Sequence, residues 1–254
     1  SIYDLEYFLL ILTRVSCFVF IAPFFSMKNT PANVRIAISF FTSMLLYQAL
    51  TPAEGIVYST LAGYTIIVIK EAVVGLLIGF AANICTTIVN FAGSIADMEI
   101  GLSMVTLMDP TSRESTSITG VMYQYVLMLM IMASGMFRYL LGALAVTFIL
   151  IPVYGAVLRG DSLVNAIIEF LGDYVMIGFR IILPIFCVTL LLNAVLGVLA
   201  KVSPQLNMFA VGIQLKVIVG LSVLVMTAGM LSGVADFVFD EMKRMIVSFV
   251  EILQ

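Results

Sequence analysis

The chain has 254 residues, of which 62% are apolar and 11% charged, and its net charge is −3. A soluble domain carries nearer a quarter charged residues, so 12 basic and 15 acidic side chains cannot cover such a surface, and much of it must meet lipid or other apolar protein. The charge balance excludes a nucleic-acid partner, which needs a basic face, and the absence of His excludes imidazole zinc sites, Ser-His-Asp triads and His proton relays.

The first apolar run, residues 5–27, contains Arg14 and is preceded by Asp4 and Glu6 rather than by a basic segment. It reads as a permanent helix rather than a cleaved leader. Residues 34–50 predict a short second helix, followed by a turn at Thr51-Pro52-Ala53-Glu54-Gly55. Lys28 and Arg35 in the first loop place it on the cytoplasmic side and the N-terminus outside. Residues 57–80, carrying Lys70 and Glu71, predict a third helix that continues, with or without a break, through 81–108. Asp109-Pro110 and the polar run 111–117 form a loop. Residues 121–137 and 139–157 predict two helices punctuated by Arg138 and Pro152, and 160–172 a short amphipathic piece. Residues 175–199 and 209–233 predict a helical hairpin, and 235–254 an amphipathic tail whose charges fall among apolar residues at helical spacing. The fold class is all-α, polytopic and membrane-type.

Five features stand out. Gly79, Asn83, Thr86, Asn90, Gly93, Asp97 and Gly101 recur every three or four residues and so share one helix face. That face serves either tight helix packing or a water-filled path, with Asp97 and Glu99 favouring the path. Methionines gather at Met98, Met104, Met108, Met122, Met128, Met130, Met132 and Met136, either filling a core or forming a deformable seal. The polar loop after Met108 is either a solvated connection or a plug. Arg14, Lys70, Glu71, Arg180, Lys201 and Lys216 lie within apolar runs, and each needs a partner on another helix or subunit; the adjacent Lys70 and Glu71 point to different faces and do not pair with each other. Gly75/Gly79 and Gly229/Gly233 are G-x-x-x-G patterns that suggest close helix contacts. Cys17, Cys85 and Cys187 lie far apart in apolar runs and read as buried thiols, not as a disulfide or a metal site. No phosphate-binding loop of the G-x-x-x-x-G-K-[ST] type occurs.

Two stretches together resemble one family. The first is Phe91-Ala-Gly-Ser-Ile-Ala-Asp-Met-Glu-Ile-Gly-Leu-Ser-Met with Asp109-Pro110; the second is Arg180-Ile-Ile-Leu-Pro184, Asn193, Gly197, Lys201 and Pro204-Gln-Leu-Asn-Met-Phe-Ala-Val-Gly212 with Lys216 and Gly220. They are similar to the flagellar biosynthetic protein FliR family and its counterparts in virulence type III secretion. Arg14-Val-Ser, Ala22-Pro23-Phe24-Phe25, Pro31, Arg35, Glu71, Gly75 and Gly79 extend the likeness over nearly the whole chain. The Asp97-Met-x-Ile-Gly and Pro204-Gln-Leu-Asn-x-Phe stretches look closer to the flagellar branch.

The resemblance implies a non-enzymatic R subunit of a protein-export gate, with no cofactor. It implies a P-like helical region over 1–174 fused to a Q-like hairpin and tail over 175–254, inserted in a helical assembly in the bacterial inner membrane at the flagellar basal body. The implied partners are P-type and Q-type membrane subunits, the large export-gate subunit, unfolded exported proteins and membrane lipid. The implied channel plug is Met104, Val105, Thr106, Leu107, Met108, Asp109, Pro110, Thr111, Ser112, Arg113, Glu114, Ser115, Thr116 and Ser117. Asn83, Thr86, Asn90, Asp97, Glu99 and Gly101 are expected to face the channel, and Arg14, Lys70, Glu71, Arg180, Lys201 and Lys216 to be buried at subunit contacts. The alternatives are a virulence-system subunit, or a proton-coupled secondary transporter built on Lys70, Glu71, Asp97 and Glu99. An intramembrane enzyme using Asp97 and Asp109 is disfavoured, because twelve residues on one unbroken helix separate them by more than three turns.

Overall fold

The computed structural model describes residues 2–23, 25, 30–50, 61–103, 117–153, 155–157, 160–203 and 207–253. In chain order these form α1 (Ile2–Ile21), α2 (Ala32–Ala49), α3 (Leu61–Ile100), α4 (Ile118–Ala133), α5 (Met136–Leu150), α6 (Gly160–Val202), α7 (Met208–Thr227), a 3-10 turn (Ala228–Met230) and α8 (Leu231–Leu253). No strand occurs among the described residues.

Three stretches, Leu61–Ile100, Gly160–Val202 and Ala210–Leu253, are long and apolar enough to cross a membrane. A spanning helix needs only about 20 residues, whereas α3 has 40 and α6 has 43. At ~1.5 Å per residue each is about 60 Å long, twice the hydrocarbon thickness. Ordinary tilts of up to about 40° do not absorb that excess, so each helix is longer than a single crossing requires.

Several boundaries differ from the sequence expectation. α3 runs unbroken to Ile100. The segment at 160–172 is not separate but opens α6, which continues through residue 174 and past Pro184. Pro184 removes the hydrogen bond to the Arg180 carbonyl and crowds that carbonyl with its ring, yet the helix continues through it. Asp161 in the first turn and Lys201 in the last complement the helix dipole. The break between α4 and α5 falls at Ser134-Gly135 rather than at Arg138, because Gly135 takes φ 76°, a left-handed conformation open to glycine. Asn207 closes the Pro-Gln-Leu-Asn stretch by capping α7, its side chain accepting from the Ala210 N–H at 3.4 Å.

The chain divides into two compact units. The first comprises Ser1–Cys85, Met132–Leu171 and Phe239–Gln254. Within it α1 and α2 lie antiparallel, with Tyr7 against Tyr47 and Phe8 edge-on to Phe40. α1 and α3 run parallel in backbone contact: a Cβ on Gly75 would sit within 2.2 Å of the Arg14 carbonyl oxygen, and one on Gly79 2.9 Å from that of Phe18. The C-terminal part of α8 buries Phe239, Met242, Met245, Ile246, Phe249, Val250 and Leu253, positions three and four apart that form one apolar stripe. Its Met245 sulfur meets the Cys85 thiol at 3.7 Å.

The second unit comprises Thr86–Ile131 and Gly172–Val238. Here α3 and α6 run parallel: Tyr174 donates to the Thr87 carbonyl at 3.2 Å, Phe91 fills the space a Cβ on Gly178 would take, and Thr189 donates to Glu99 at 3.3 Å. α7 joins through Gly220, where a Cβ would lie 2.5 Å from Ile100. Large apolar side chains remain exposed on α6 (Met176, Leu183, Leu191, Val198) and α7 (Ile218, Val225, Met226).

Candidate functional site

The site of interest is where α3 ends and α4 begins, flanking residues 104–116. α3 closes at Gly101, whose N–H bonds the Asp97 carbonyl at 3.0 Å and whose φ is 91°. α4 opens at Ser117, which caps it by accepting from the Gly120 N–H at 2.8 Å, the Ncap-to-N3 bond that favours serine. The Asp97 carboxylate on α3 then accepts from the Ser117 hydroxyl at 2.8 Å, from the Thr119 N–H at 3.2 Å and from the Thr119 hydroxyl. Asp97 is 4% exposed. Next to it the two backbones touch: a Cβ on Gly93 would lie 2.3 Å from Gly120, and one on Gly120 2.3 Å from the Asn90 side-chain oxygen. A negative charge at the positive end of α4 is favourable, and its three donors satisfy it while buried.

The expected channel-facing residues therefore divide. Thr86 and Asp97 are buried within the chain, Asp97 through its bonds to the start of α4. Asn83, Asn90, Glu99 and Gly101 are partly buried. Of the expected plug residues 104–117, only Ser117 is among the described residues; 104–116 lie outside them. Among the methionines, Met128 and Met136 are buried, and Met98, Met122 and Met132 are exposed.

The apolar-run charges also divide. Arg14 and Glu71 are fully buried and pair with each other inside the chain, Nε to Oε2 at 2.6 Å, so the ion pair forms without a second subunit, although the buried Arg14 Nη2 has no hydrogen-bond partner among the described residues. Arg14 Nη1 also donates to the Thr147 and Ile151 carbonyls at the end of α5, at 3.2 and 3.0 Å, the Thr147 carbonyl also accepting from the Ile151 N–H at 2.8 Å, and its guanidinium lies 4.3 Å over the Phe148 ring. Lys70 and Lys216 are partly buried, whereas Arg180 and Lys201 are exposed rather than buried. Their long side chains reach past the apolar surface of α6, Arg180 lying over Phe237 at 5.4 Å. Cys187 is likewise exposed, unlike Cys85, because it sits on the open face of α6. Of the two G-x-x-x-G patterns, Gly75/Gly79 packs against α1, whereas a Cβ on Gly229 or Gly233 meets nothing within 4 Å.

Sequence reasoning missed Thr119 and Gly120. Ser117, just before an apolar run, carried a helix-start signal, but nothing in the sequence linked it to Asp97. Among the described residues no group of three or more Cys, Asp or Glu is arranged to hold a metal.

These features define an all-helical, membrane-type protein whose buried ionisable residues join helices to one another. Residues 5–242 match the model of the family described as Bacterial export proteins, family 1. Similar proteins are the flagellar biosynthetic proteins FliR of Bacillus subtilis (28% identical, covering 94% of this chain and 93% of the relative), Escherichia coli K12 (23%, 94% and 90%) and Caulobacter vibrioides (25%, 93% and 93%). The chain belongs to this family of bacterial export proteins.

Proposed function

We propose that the chain is a non-enzymatic subunit of the flagellar type III protein-export gate, resident in the bacterial inner membrane at the flagellar basal body. The observation that carries this reading is the match to flagellar FliR proteins over more than nine-tenths of this chain. One copy assembles with several P-type and Q-type membrane subunits and meets the large export-gate subunit, and unfolded proteins pass through the channel so formed. Residues 1–174 supply the P-like part and 175–254 the Q-like hairpin. The apolar residues exposed on α6 and α7 support this reading, since such faces call for lipid or partner helices. Lys70, Arg180, Lys201 and Lys216 are available for subunit contacts. Residues 104–117 plug the channel, with Glu99 and Gly101 beside them facing it.

The transporter alternative loses two of its four motivating residues, because Glu71 and Asp97 are held by bonds within the chain. Deleting the gene and assaying flagellar proteins in the culture medium tests the assignment. Export should cease and return on complementation. Continued flagellar export with loss of virulence-factor secretion would transfer the chain to the virulence branch.

A further inference from the structure

We infer that the groove between α5 and the C-terminal part of α8 seats a helix of another export-gate subunit, one that is apolar along its buried face and carries a Lys or Arg level with Glu251. The inference rests on the reading of the chain as one subunit of a hetero-oligomeric gate, and it adds where a partner docks and with what chemistry.

Both walls of the groove belong to the first compact unit. The two helices run parallel. At one end Lys243 Nζ lies 5.8 Å over the Tyr139 ring, and at the other the Val157 N–H, just past α5, donates to the Leu253 carbonyl at 3.1 Å. Between these ends the groove encloses about 600 Å³ and is lined by Gly142, Val146 and Leu150 of α5 and by Val247, Val250 and Glu251 of α8. From Tyr139 to Leu150 α5 advances ~16 Å, about three turns, so a helix laid lengthwise meets it over that span, the helix-in-groove mode of recognition.

The chain itself leaves this groove open. Val146, Leu150 and Val247 are exposed. A Cβ on Gly142 meets nothing within 4 Å, whereas one on Gly75, Gly93, Gly178 or Gly220 would collide with a neighbouring helix. Small residues let a second backbone approach closely, and at Gly142 no backbone of this chain does so.

Charge selects the occupant. Of the three acidic residues on this part of α8, Asp240 pairs with Lys243 and Glu241 with Arg244, while Glu251 has no ion pair among the described residues. Lys243, Val247 and Glu251 lie four apart and share one face, but Lys243 is two turns away and already bound to Asp240. A hydrocarbon chain filling the groove would leave the Glu251 carboxylate against an apolar neighbour, which is costly. A helix with a basic side chain at that level meets the carboxylate and covers the apolar walls together.

The test uses the full complex, co-expressed with the neighbouring membrane-protein genes, with a photoreactive benzophenone side chain in place of Val247. Native mass spectrometry of the same sample establishes that the complex has assembled. The crosslinked peptide should come from a co-purified subunit and carry a Lys or Arg within about one turn of the adduct. Gly142→Leu, which fills the groove, and Glu251→Lys, which reverses its charge, should each lower the adduct yield about tenfold, while the isolated variants unfold at the wild-type midpoint. Gly172→Leu, at an open position of α6, should leave the yield unchanged. Replacing the partner's basic residue with Glu should restore the yield to Glu251→Lys. An assembled complex whose adducts are lipid only, a second copy only or a helix without a base overturns the inference while leaving the gate reading standing. So does a yield indifferent to both Gly142→Leu and Glu251→Lys. A chain found alone overturns the gate reading itself, and the docked partner with it.

Discussion

Arg14 and Glu71, 57 positions apart in sequence, meet at 2.6 Å with both side chains fully buried. The same guanidinium closes the C-terminal carbonyls of α5, so one side chain joins α1, α3 and α5. Two charges taken out of water are costly, and their attraction offsets that cost fully only when the remaining donors and acceptors are met; here the two carbonyls take Nη1, while the buried Nη2 has no partner among the described residues.

Removing one partner strands the other. Arg14→Ala or Glu71→Ala should destabilise the protein by about 3–5 kcal/mol, read as a lowered unfolding midpoint in detergent. Arg14→Met with Glu71→Leu, which fills the volume without charge, should recover much of that loss. Single variants as stable as wild type would contradict the pairing.

Gly75 lies where α1 and α3 touch, its Cβ position 2.2 Å from the Arg14 carbonyl oxygen. Gly75→Ala should cost about 1–3 kcal/mol through overpacking. Gly172→Ala, on α6 with nothing within 4 Å of its Cβ position, should instead stabilise by about 0.5–1 kcal/mol. Thermal unfolding of the two variants side by side reads the contrast.

These glycines show what the sequence made legible and what it hid. The Gly75/Gly79 spacing pointed to a close helix contact and α3 uses it, but the same spacing at Gly229/Gly233 meets no neighbour, because spacing reports only that a helix can be approached. The all-helical, membrane-type class followed from composition, and the amphipathic tail from its period, since both are local properties. The partners of Arg14 and Asp97 are not local. The sequence showed that Arg14 needed one and pointed Asp97 towards water instead; only the packing of α1 on α3 and of α3 on α4 decided where each is held. The turn at Gly135 was hidden for another reason: a positive φ is a choice of backbone conformation, and the neighbouring Arg138 looked like the stronger interruption.

α8 separates core from surface within one helix. Met242 is fully buried, so Met242→Ala should cost about 2–5 kcal/mol. Asp240 pairs with Lys243 at 3.1 Å while 77% exposed, and such a pair contributes at most about 1 kcal/mol. Asp240→Ala should leave the unfolding midpoint nearly unchanged.

Thiol labelling reads the open face of α6. In the isolated chain Cys187 should react readily with a maleimide and Cys85 should not, since access governs thiol reactivity. In the assembled gate, Cys187 should become protected where a partner helix covers that face. Rapid labelling of Cys85 in the folded chain would contradict the packing of α3 against α8.

The most direct test of the central claim, that the chain works as one part of a hetero-oligomeric export gate, is native mass spectrometry after co-expression with the neighbouring membrane-protein genes. The account predicts one copy of this chain in a complex with several copies of two smaller membrane proteins. A stable monomer or homodimer that transports protons or solutes by itself would contradict it.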